Sequence, residues 1–76
     1  MKELLVYIVQ NLVDSPDEVQ ITEREKDDLV VFEIRVADSD MGKVIGRQGR
    51  IIKEIRTLMR AVAKRKGKRI SVEVID

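Results

Sequence analysis

Apolar residues recur at intervals of three and four in two stretches of the chain, a period typical of helices with one buried face. The first stretch predicts a helix over about residues 2–13, and the second predicts a longer helix over about residues 49–65 that ends near Gly67. The positions that we expect these helices to bury are Leu4, Leu5, Ile8, Val9, Leu12 and Val13, followed by Ile51, Ile52, Ile55, Leu58, Met59 and Val62.

Alternation of apolar and polar residues with a period of two predicts three strands. The clearest strand covers residues 29–36, and its Phe32, the only phenylalanine in the chain, is expected to fill the core. A weaker alternation over residues 19–25 precedes a polar turn at residues 26–28, and together these segments predict a hairpin. Residues 69–75 form the last predicted strand.

Turn-forming residues separate these elements. Residues 14–17 end the first helix and predict a short turn at Pro16, while Asp-Ser-Asp at residues 38–40 offers N-cap oxygens to a short helix over residues 41–45. The order helix, strand, strand, helix, Gly-x-x-Gly, helix, strand predicts an α+β domain. We expect an antiparallel hairpin, a last strand parallel to its neighbour after a helical crossover, and helices on one face of this three-stranded mixed sheet.

A chain of 76 residues forms one domain, which we take as residues 1–76. It contains no cysteine and no histidine, which removes disulfides, the usual zinc ligands and the usual general base at neutral pH. We therefore expect no catalytic residue, metal ion or cofactor. No apolar run approaches the roughly 20 residues that cross a bilayer, and the first residues lack signal-peptide features. A cytoplasmic protein is the resulting expectation.

The net charge of +1 conceals an uneven distribution. Residues 1–42 carry four basic and eleven acidic side chains, whereas residues 43–76 carry eleven basic and three acidic ones. This asymmetry favours a basic face that meets a polyanion, although solvated surfaces would give the same counts. The only aromatic residues are Tyr7 and Phe32, which argues against a protein that stacks bases on exposed aromatic rings.

The most informative segment reads Lys-Val-Ile-Gly-Arg-Gln-Gly-Arg-Ile-Ile at residues 43–52. Its Gly-x-x-Gly tetrad opens the long predicted helix, whose free N–H groups and dipole attract anions. The glycines allow another backbone to come close, and Lys43, Arg47 and Arg50 add positive charge. These features favour contact with a sugar-phosphate backbone. The glycine spacing fits neither a P-loop nor a dinucleotide fingerprint, and a tight helix–helix turn is the structural alternative.

An apolar pair, Val44-Ile45, precedes the tetrad, and apolar Ile52 and Ile55 follow it. This pattern resembles the KH domain, a module that binds RNA and single-stranded DNA. The order of elements is similar to that of the type II, or prokaryotic, KH fold over the whole chain. The length, the approach at residues 40–46 and the basic tract at residues 64–69 resemble the small bacterial single-KH proteins of the KhpA (YlqC-like) family.

The resemblance implies a site that holds about four nucleotides of single-stranded RNA along the tetrad. Gly46 and Gly49 would permit close approach, and Arg47 and Gln48 would face the phosphates. The remaining implied site residues are the charged flanks Lys43, Arg50 and Lys53, the apolar floor Val44, Ile45 and Ile52, and Val36 or Ile34 as the other wall. For Val44 and Ile52, core packing is an equal alternative.

The resemblance further implies a non-catalytic RNA-binding protein, a post-transcriptional regulator or RNA chaperone, with single-stranded DNA as a second ligand. It implies a homodimer, or a heterodimer with a larger KhpB (Jag/EloR)-like KH protein. The alternative is a protein-interaction module in which RNA contact is secondary. A stripe of Lys53, Arg56, Arg60 and Lys64 either extends the phosphate track or only keeps the helix soluble, and the tract at residues 64–69 leaves the same choice open.

Overall fold

The chain folds into three helices and one three-stranded sheet, and the computed structural model describes all 76 residues. The elements are α1 (Lys2–Leu12), β1 (Gln20–Lys26), β2 (Leu29–Arg35), α2 (Met41–Ile45), α3 (Arg50–Arg65) and β3 (Arg69–Val74). Short 3-10 turns lie at Pro16–Glu18, Asp38–Asp40 and Arg47–Gly49. The predicted order of elements is therefore confirmed. None of the helices has the length and apolar character that crossing a membrane requires.

The sheet has the strand order β1-β2-β3, with β1 and β2 antiparallel and β2 and β3 parallel. Asp27 and Asp28 connect the paired residues Lys26 and Leu29, so the hairpin turn is as tight as the polar segment suggested. The parallel pair confirms the helical crossover, because α2 and α3 carry the chain back to the start of the sheet. This α+β topology is that of a type II KH fold.

The core lies between the sheet and the helices. From β2, Val30, Phe32 and Ile34 point into it with no exposed surface, which confirms the predicted core role of Phe32. From the helices, the buried side chains are Leu5 and Val9 of α1, Val44 of α2, and Ile52, Ile55, Met59 and Ala63 of α3. Those four α3 residues recur every three or four positions, so α3 packs one continuous apolar stripe against the sheet.

Two apolar helix residues that were expected in the core are exposed. Leu4 of α1 retains 37% of its accessible surface and Leu58 of α3 retains 46%. The expectation was wrong because a helix packed on a sheet buries one stripe, and residues at the margin of that stripe are covered only if a further element lies beside them. The exposure of Leu4 and Leu58 shows that no further element covers these two margins.

The prediction that side chains of residues 38–40 cap α2 was also wrong. No side chain donates or accepts a capping hydrogen bond at the start of α2, and residues 38–40 themselves form a 3-10 turn. The Asp40 carboxylate instead accepts hydrogen bonds from the backbone N–H groups of Asp14, at 3.2 Å, and Ser15, at 3.0 Å. Asp40 thus ties the start of α2 to the segment that follows α1.

Gly67 ends α3 as the sequence predicted. Its φ of +70° is in the left-handed region, its N–H donates to Lys64 O, and the N–H of Lys68 donates to Ala63 O. This paired arrangement is a Schellman motif, which satisfies carbonyl groups at the end of a helix. The chain then enters β3, where the N–H of Arg69 donates to Asp28 O at the hairpin turn.

Candidate nucleic-acid interface

The Gly-x-x-Gly loop, residues 46–49, is a sharp turn between α2 and α3. The N–H of Gly46 donates to Gly42 O and ends α2, and the N–H of Gly49 donates to Gly46 O within the turn. Gln48 (φ 57°, ψ 25°) and Gly49 (φ 72°, ψ 20°) both adopt left-handed conformations. The side chains of Arg47 and Gln48 are exposed at the tip of the loop.

The two glycines of the loop are required for different reasons. A Cβ at Gly46 would lie 2.6 Å from Ile51 Cγ1 and 2.9 Å from Ile51 N, so the chain itself occupies the space beside Gly46. A Cβ at Gly49 would have no atom within 4 Å. The folded chain therefore needs the missing side chain of Gly46 for its own packing, whereas the space beside Gly49 is open to a ligand.

Ion pairs divide the basic residues of the second half into two groups. Lys43 contacts Asp14 and Asp40, Lys68 contacts Glu25, and Arg69 contacts Asp28. The basic residues of that half that form no ion pair are Arg47, Arg50, Lys53, Arg56, Arg60, Lys64, Arg65 and Lys66. The uncompensated positive charge therefore lies on the loop and along α3, and only part of the tract at residues 64–69 contributes to it.

Lys43 was expected to flank a phosphate, but its ammonium group lies between two carboxylates. Lys43 Nζ is 3.1 Å from Asp14 Oδ2 and 3.6 Å from Asp40 Oδ1. The hydrogen bond with Asp14 and the charges of both carboxylates raise the pKa of Lys43. Burial alone would raise the pKa of Asp40. The hydrogen bonds from the N–H groups of Asp14 and Ser15, together with the charge of Lys43, outweigh this effect, and the pKa of Asp40 is lowered.

A groove runs between α3 and the edge strand β3. Two depressions, of about 230 and 320 Å³, share Arg60 and Ile70 in their walls and form one continuous α3–β3 groove. Its lining residues are Arg56, Arg60 and Lys64 of α3, and Lys68, Arg69, Ile70, Ser71, Val72 and Glu73 of the connection and β3. Three residues of the basic stripe predicted on the long helix therefore line one wall of the groove, and the fourth, Lys53, does not.

The edge of β3 forms the other wall. The N–H groups of Arg69 and Ile75 donate to the carbonyl oxygens of Asp28 and Ile34, on the β2 side of the strand. Because successive residues of a strand direct their N–H and C=O groups to opposite sides, those of Ile70, Val72 and Val74 point away from β2, toward the groove. The Val72 carbonyl accepts a hydrogen bond from Arg56 Nε at 2.9 Å. The outward groups of Ile70 and Val74 form no hydrogen bond across the groove.

The predicted apolar floor does not line this groove. Val44 is fully buried and Ile52 is 5% exposed, so core packing is correct for both of them. Ile34 is fully buried as well, and its assignment to a groove wall was wrong, because β2 is the central strand and β3 lies between it and the groove. Ile45 and Val36 are half-buried and pack against the core.

An apolar surface that the sequence analysis missed lies on the other flank of α3. Ile8, Leu12, Ile51, Ile55 and Leu58 line a shallow depression of about 240 Å³ with Glu54 at its margin. We call this surface, together with the exposed Leu4 one turn before Ile8, the α1–α3 apolar patch. One signal could have revealed it, since both helices carry more apolar residues than a single buried stripe needs.

Comparison with known proteins adds a family assignment to this geometry. The family model described as KhpA/KhpB, KH domain matches residues 2–74. The chain is 52% identical over 75 residues to the RNA-binding protein KhpA of Clostridium acetobutylicum, covering 99% of this chain and all of that protein. It is 47% identical over 76 residues to RNA-binding protein KhpA of Listeria monocytogenes, covering both chains fully. No solved structure gives a significant match.

The two glycines can be distinguished by substitution. We expect Gly46→Ala to lower the free energy of unfolding more than Gly49→Ala. At Gly46 the added Cβ meets Ile51, and a φ of 77° with a ψ of 171° costs a non-glycine residue roughly 1–3 kcal/mol. At Gly49 only the left-handed conformation adds strain, of about 1–2 kcal/mol. Urea unfolding followed by circular dichroism measures the free energy of unfolding of both variants. Equal losses of stability would contradict the different roles assigned to the two glycines.

The lowered pKa of Asp40 makes part of the unfolding free energy depend on pH. The stabilisation is present above the ordinary aspartate pKa of about 3.9 and is lost as the pH falls through the lower folded-state value. We therefore expect the unfolding free energy of the wild type to fall more steeply below about pH 4 than that of Asp40→Asn. The hydrogen bond with Arg69 also lowers the pKa of Asp28. Because Asp28 is present in the wild type and in Asp40→Asn, its contribution to the pH dependence is the same in both. Parallel pH curves from urea unfolding would contradict the prediction.

Proposed function

Because this chain belongs to the KhpA/KhpB family of KH domains, we propose that it binds single-stranded RNA through loop 46–49 and the α3–β3 groove. The relatives are named RNA-binding protein, and they match 99% or more of this chain. Both facts support RNA as the ligand. The strongest structural support is the concentration of unpaired cations on the loop and on the groove wall formed by α3. The proposed role is binding without catalysis.

Phosphates of the RNA backbone pass over the loop. Arg47 and Arg50 supply charge there, Gln48 supplies an amide donor, and Gly49 leaves room for the sugar-phosphate chain to approach. Lys53, on the next turn of α3, continues this charge toward the groove. Backbone contacts of this kind fix the strand in place and are insensitive to base sequence.

Bases enter the α3–β3 groove. Single-stranded bases expose their hydrogen-bonding edges, and the outward N–H and C=O groups of Ile70 and Val74 are suitable partners for those edges. Arg56 donates from Nε to the Val72 carbonyl, which leaves its other guanidinium N–H groups without a protein partner at the groove wall. Apolar contact comes from Ile70, since the chain offers no aromatic residue in the groove.

RNA binding at the loop is tested with a charge-reversing double variant. We expect Arg47→Asp with Gln48→Asp to raise the Kd for a fluorescent single-stranded RNA at least tenfold, because two carboxylates then face phosphates. The fold should persist, since both side chains are exposed and aspartate tolerates the left-handed conformation at position 48. Fluorescence anisotropy measures the Kd, and circular dichroism checks the fold.

The matched control is Lys2→Asp with Gln10→Asp, which makes the same change in net charge at exposed positions of α1. Its Kd should stay close to that of the wild type. For about four neutralised phosphates, the slope of log K against log salt should be near −3 for the wild type. A slope near zero, or equal losses in the two double variants, would contradict recognition at the loop.

We further propose that a second copy of the chain covers the α1–α3 apolar patch. Contiguous exposed apolar surface on a small protein marks an interaction site more often than chance. On the helical wheel of α3, the patch residues Ile51 and Leu58 lie roughly opposite the groove residues Arg56 and Arg60. Self-association through the patch therefore leaves both grooves open, and two linked grooves bind one RNA more tightly than either alone.

Self-association is tested by placing a charge in the patch. We expect the wild type to have twice the mass of one chain by multi-angle light scattering, and Leu58→Lys to have the mass of one chain. Ala61→Lys, at an exposed position of α3 outside the patch, is the control and should remain dimeric. A monomeric wild type, or two variants that behave alike, would contradict the proposal. Repeating the measurement with a KhpB-like KH protein would detect that partner instead.

A further inference from the structure

Asp40 is the only charged side chain buried in the protein, with 1% of its surface exposed. A buried carboxylate is unfavourable unless both of its oxygens accept hydrogen bonds. Oδ1 accepts from the N–H of Asp14 and Oδ2 accepts from the N–H of Ser15, which are 26 and 25 residues away in the sequence. Both N–H groups lie in the segment where the chain leaves α1. The buried carboxylate therefore joins two distant segments through their backbone.

Lys43 completes this arrangement on the surface. It lies one turn after Asp40 on α2, and its ammonium group contacts Asp40 and Asp14 together. The three side chains carry one positive and two negative charges, so their combined charge is −1. We call this set the Asp40 clamp. A cation with two carboxylate partners has little attraction left for a phosphate, and Lys43 differs in this respect from Arg47 and Arg50.

The clamp acts on the helix that carries the loop. α2 has only five residues, and a helix of this length has no stability of its own. Its orientation is therefore set by tertiary contacts, which include the buried Val44 and the Asp40 clamp. Because the N–H of Gly46 donates to Gly42 O, the loop continues directly from α2 and follows its orientation.

We propose that Asp40 is a positioning residue for RNA binding: its carboxylate holds α2 against the end of α1 and so fixes the direction of loop 46–49. In this arrangement Lys43 reinforces the clamp and does not bind phosphate. The inference rests on the proposed function of the loop. It assigns a role in binding to Asp40 and Asp14, which lie outside the basic surface, and removes Lys43 from the RNA contacts.

The role of Lys43 is tested by the salt dependence of binding. Each phosphate contact on single-stranded RNA contributes about −0.7 to the slope of log K against log salt. Lys43→Met and Arg47→Met remove one positive charge each, and both side chains are exposed. We expect Arg47→Met to make the slope shallower by about 0.7 and Lys43→Met to leave it unchanged.

Two results of the slope measurement would overturn the inference. If Lys43→Met reduces the slope as much as Arg47→Met, Lys43 binds phosphate, and the loop remains the RNA site while the positioning inference fails. If Arg47→Met leaves the slope at the wild-type value, the loop is not the RNA site, and the proposed function fails together with the inference.

The role of Asp40 is tested with Asp40→Asn, which keeps the size of the side chain but puts an amide NH₂ where one backbone N–H needs an acceptor. We expect the Kd for RNA to rise roughly 3- to 30-fold with the salt slope unchanged. The loss of a negative charge would by itself strengthen the attraction to RNA. A charge effect would therefore lower the Kd, whereas a change in the position of the loop would raise it. A raised Kd in Asp40→Asn thus reports the geometry of the loop.

Asp38→Asn is the matched control, since Asp38 is an exposed carboxylate two residues away in the same turn. Its affinity should equal or slightly exceed that of the wild type. Measurements are made at a temperature at which circular dichroism shows every variant to be fully folded. Amide resonances of residues 47–50 should shift in Asp40→Asn and remain in place in Asp38→Asn. Wild-type affinity in folded Asp40→Asn, or equal losses in both variants, would overturn the inference.

If Asp40→Asn does not fold, the salt slope of Lys43→Met still tests the inference, because Lys43 is exposed and its removal leaves both backbone hydrogen bonds of Asp40 in place.

Discussion

The contact between one stripe of α3 and the sheet determines where the α3–β3 groove and the α1–α3 apolar patch lie. Ile52, Ile55, Met59 and Ala63 are buried against the strands, and their three- and four-residue spacing fixes the rotation of α3 about its axis. One flank of the helix then lies beside the edge strand β3 and forms the groove with Arg56 and Arg60. The other flank lies beside α1 and forms the apolar patch with Ile51 and Leu58.

The choice of ion pairs decides which cations are available to a polyanion. The chain carries nearly equal numbers of acidic and basic side chains, so its net charge says little about its ligand. Folding brings four acidic partners to Lys43, Lys68 and Arg69, all from the part of the chain that precedes residue 42. The unpaired basic residues of the second half lie on the loop, along α3 and directly after it, and this concentration gives a nearly neutral protein a strongly basic region.

The loop combines local conformation with distant support. Gly46 allows Ile51 to pack against the turn, and Gln48 and Gly49 adopt left-handed conformations that turn the chain into α3. These local features set the shape of the loop but not its direction. The direction depends on α2, which is held by the burial of Val44 and by the hydrogen bonds of Asp40 to the segment after α1.

The elements, their order and the position of the loop follow from the amino-acid sequence alone. Helical and strand periods are local properties, and the glycines at 46, 49 and 67 mark backbone conformations that few other residues adopt. The parallel pairing of β3 also followed, because a strand reached by a helical crossover has one favourable direction beside its neighbour. The core position of Phe32 followed from alternation along β2.

Which of several chemically equivalent residues are exposed and unpaired depends on how distant segments pack together. Leu58 and Met59 are equally apolar and adjacent, yet one is exposed and the other is buried, because burial depends on what lies beside the helix. Lys43 and Arg47 are both cations near the loop, yet only Lys43 meets carboxylates from another segment. Asp40 has the sequence signature of an N-cap but accepts hydrogen bonds from N–H groups 25 and 26 residues away. Local patterns carry no information about such neighbours, since these arise only when distant segments pack together.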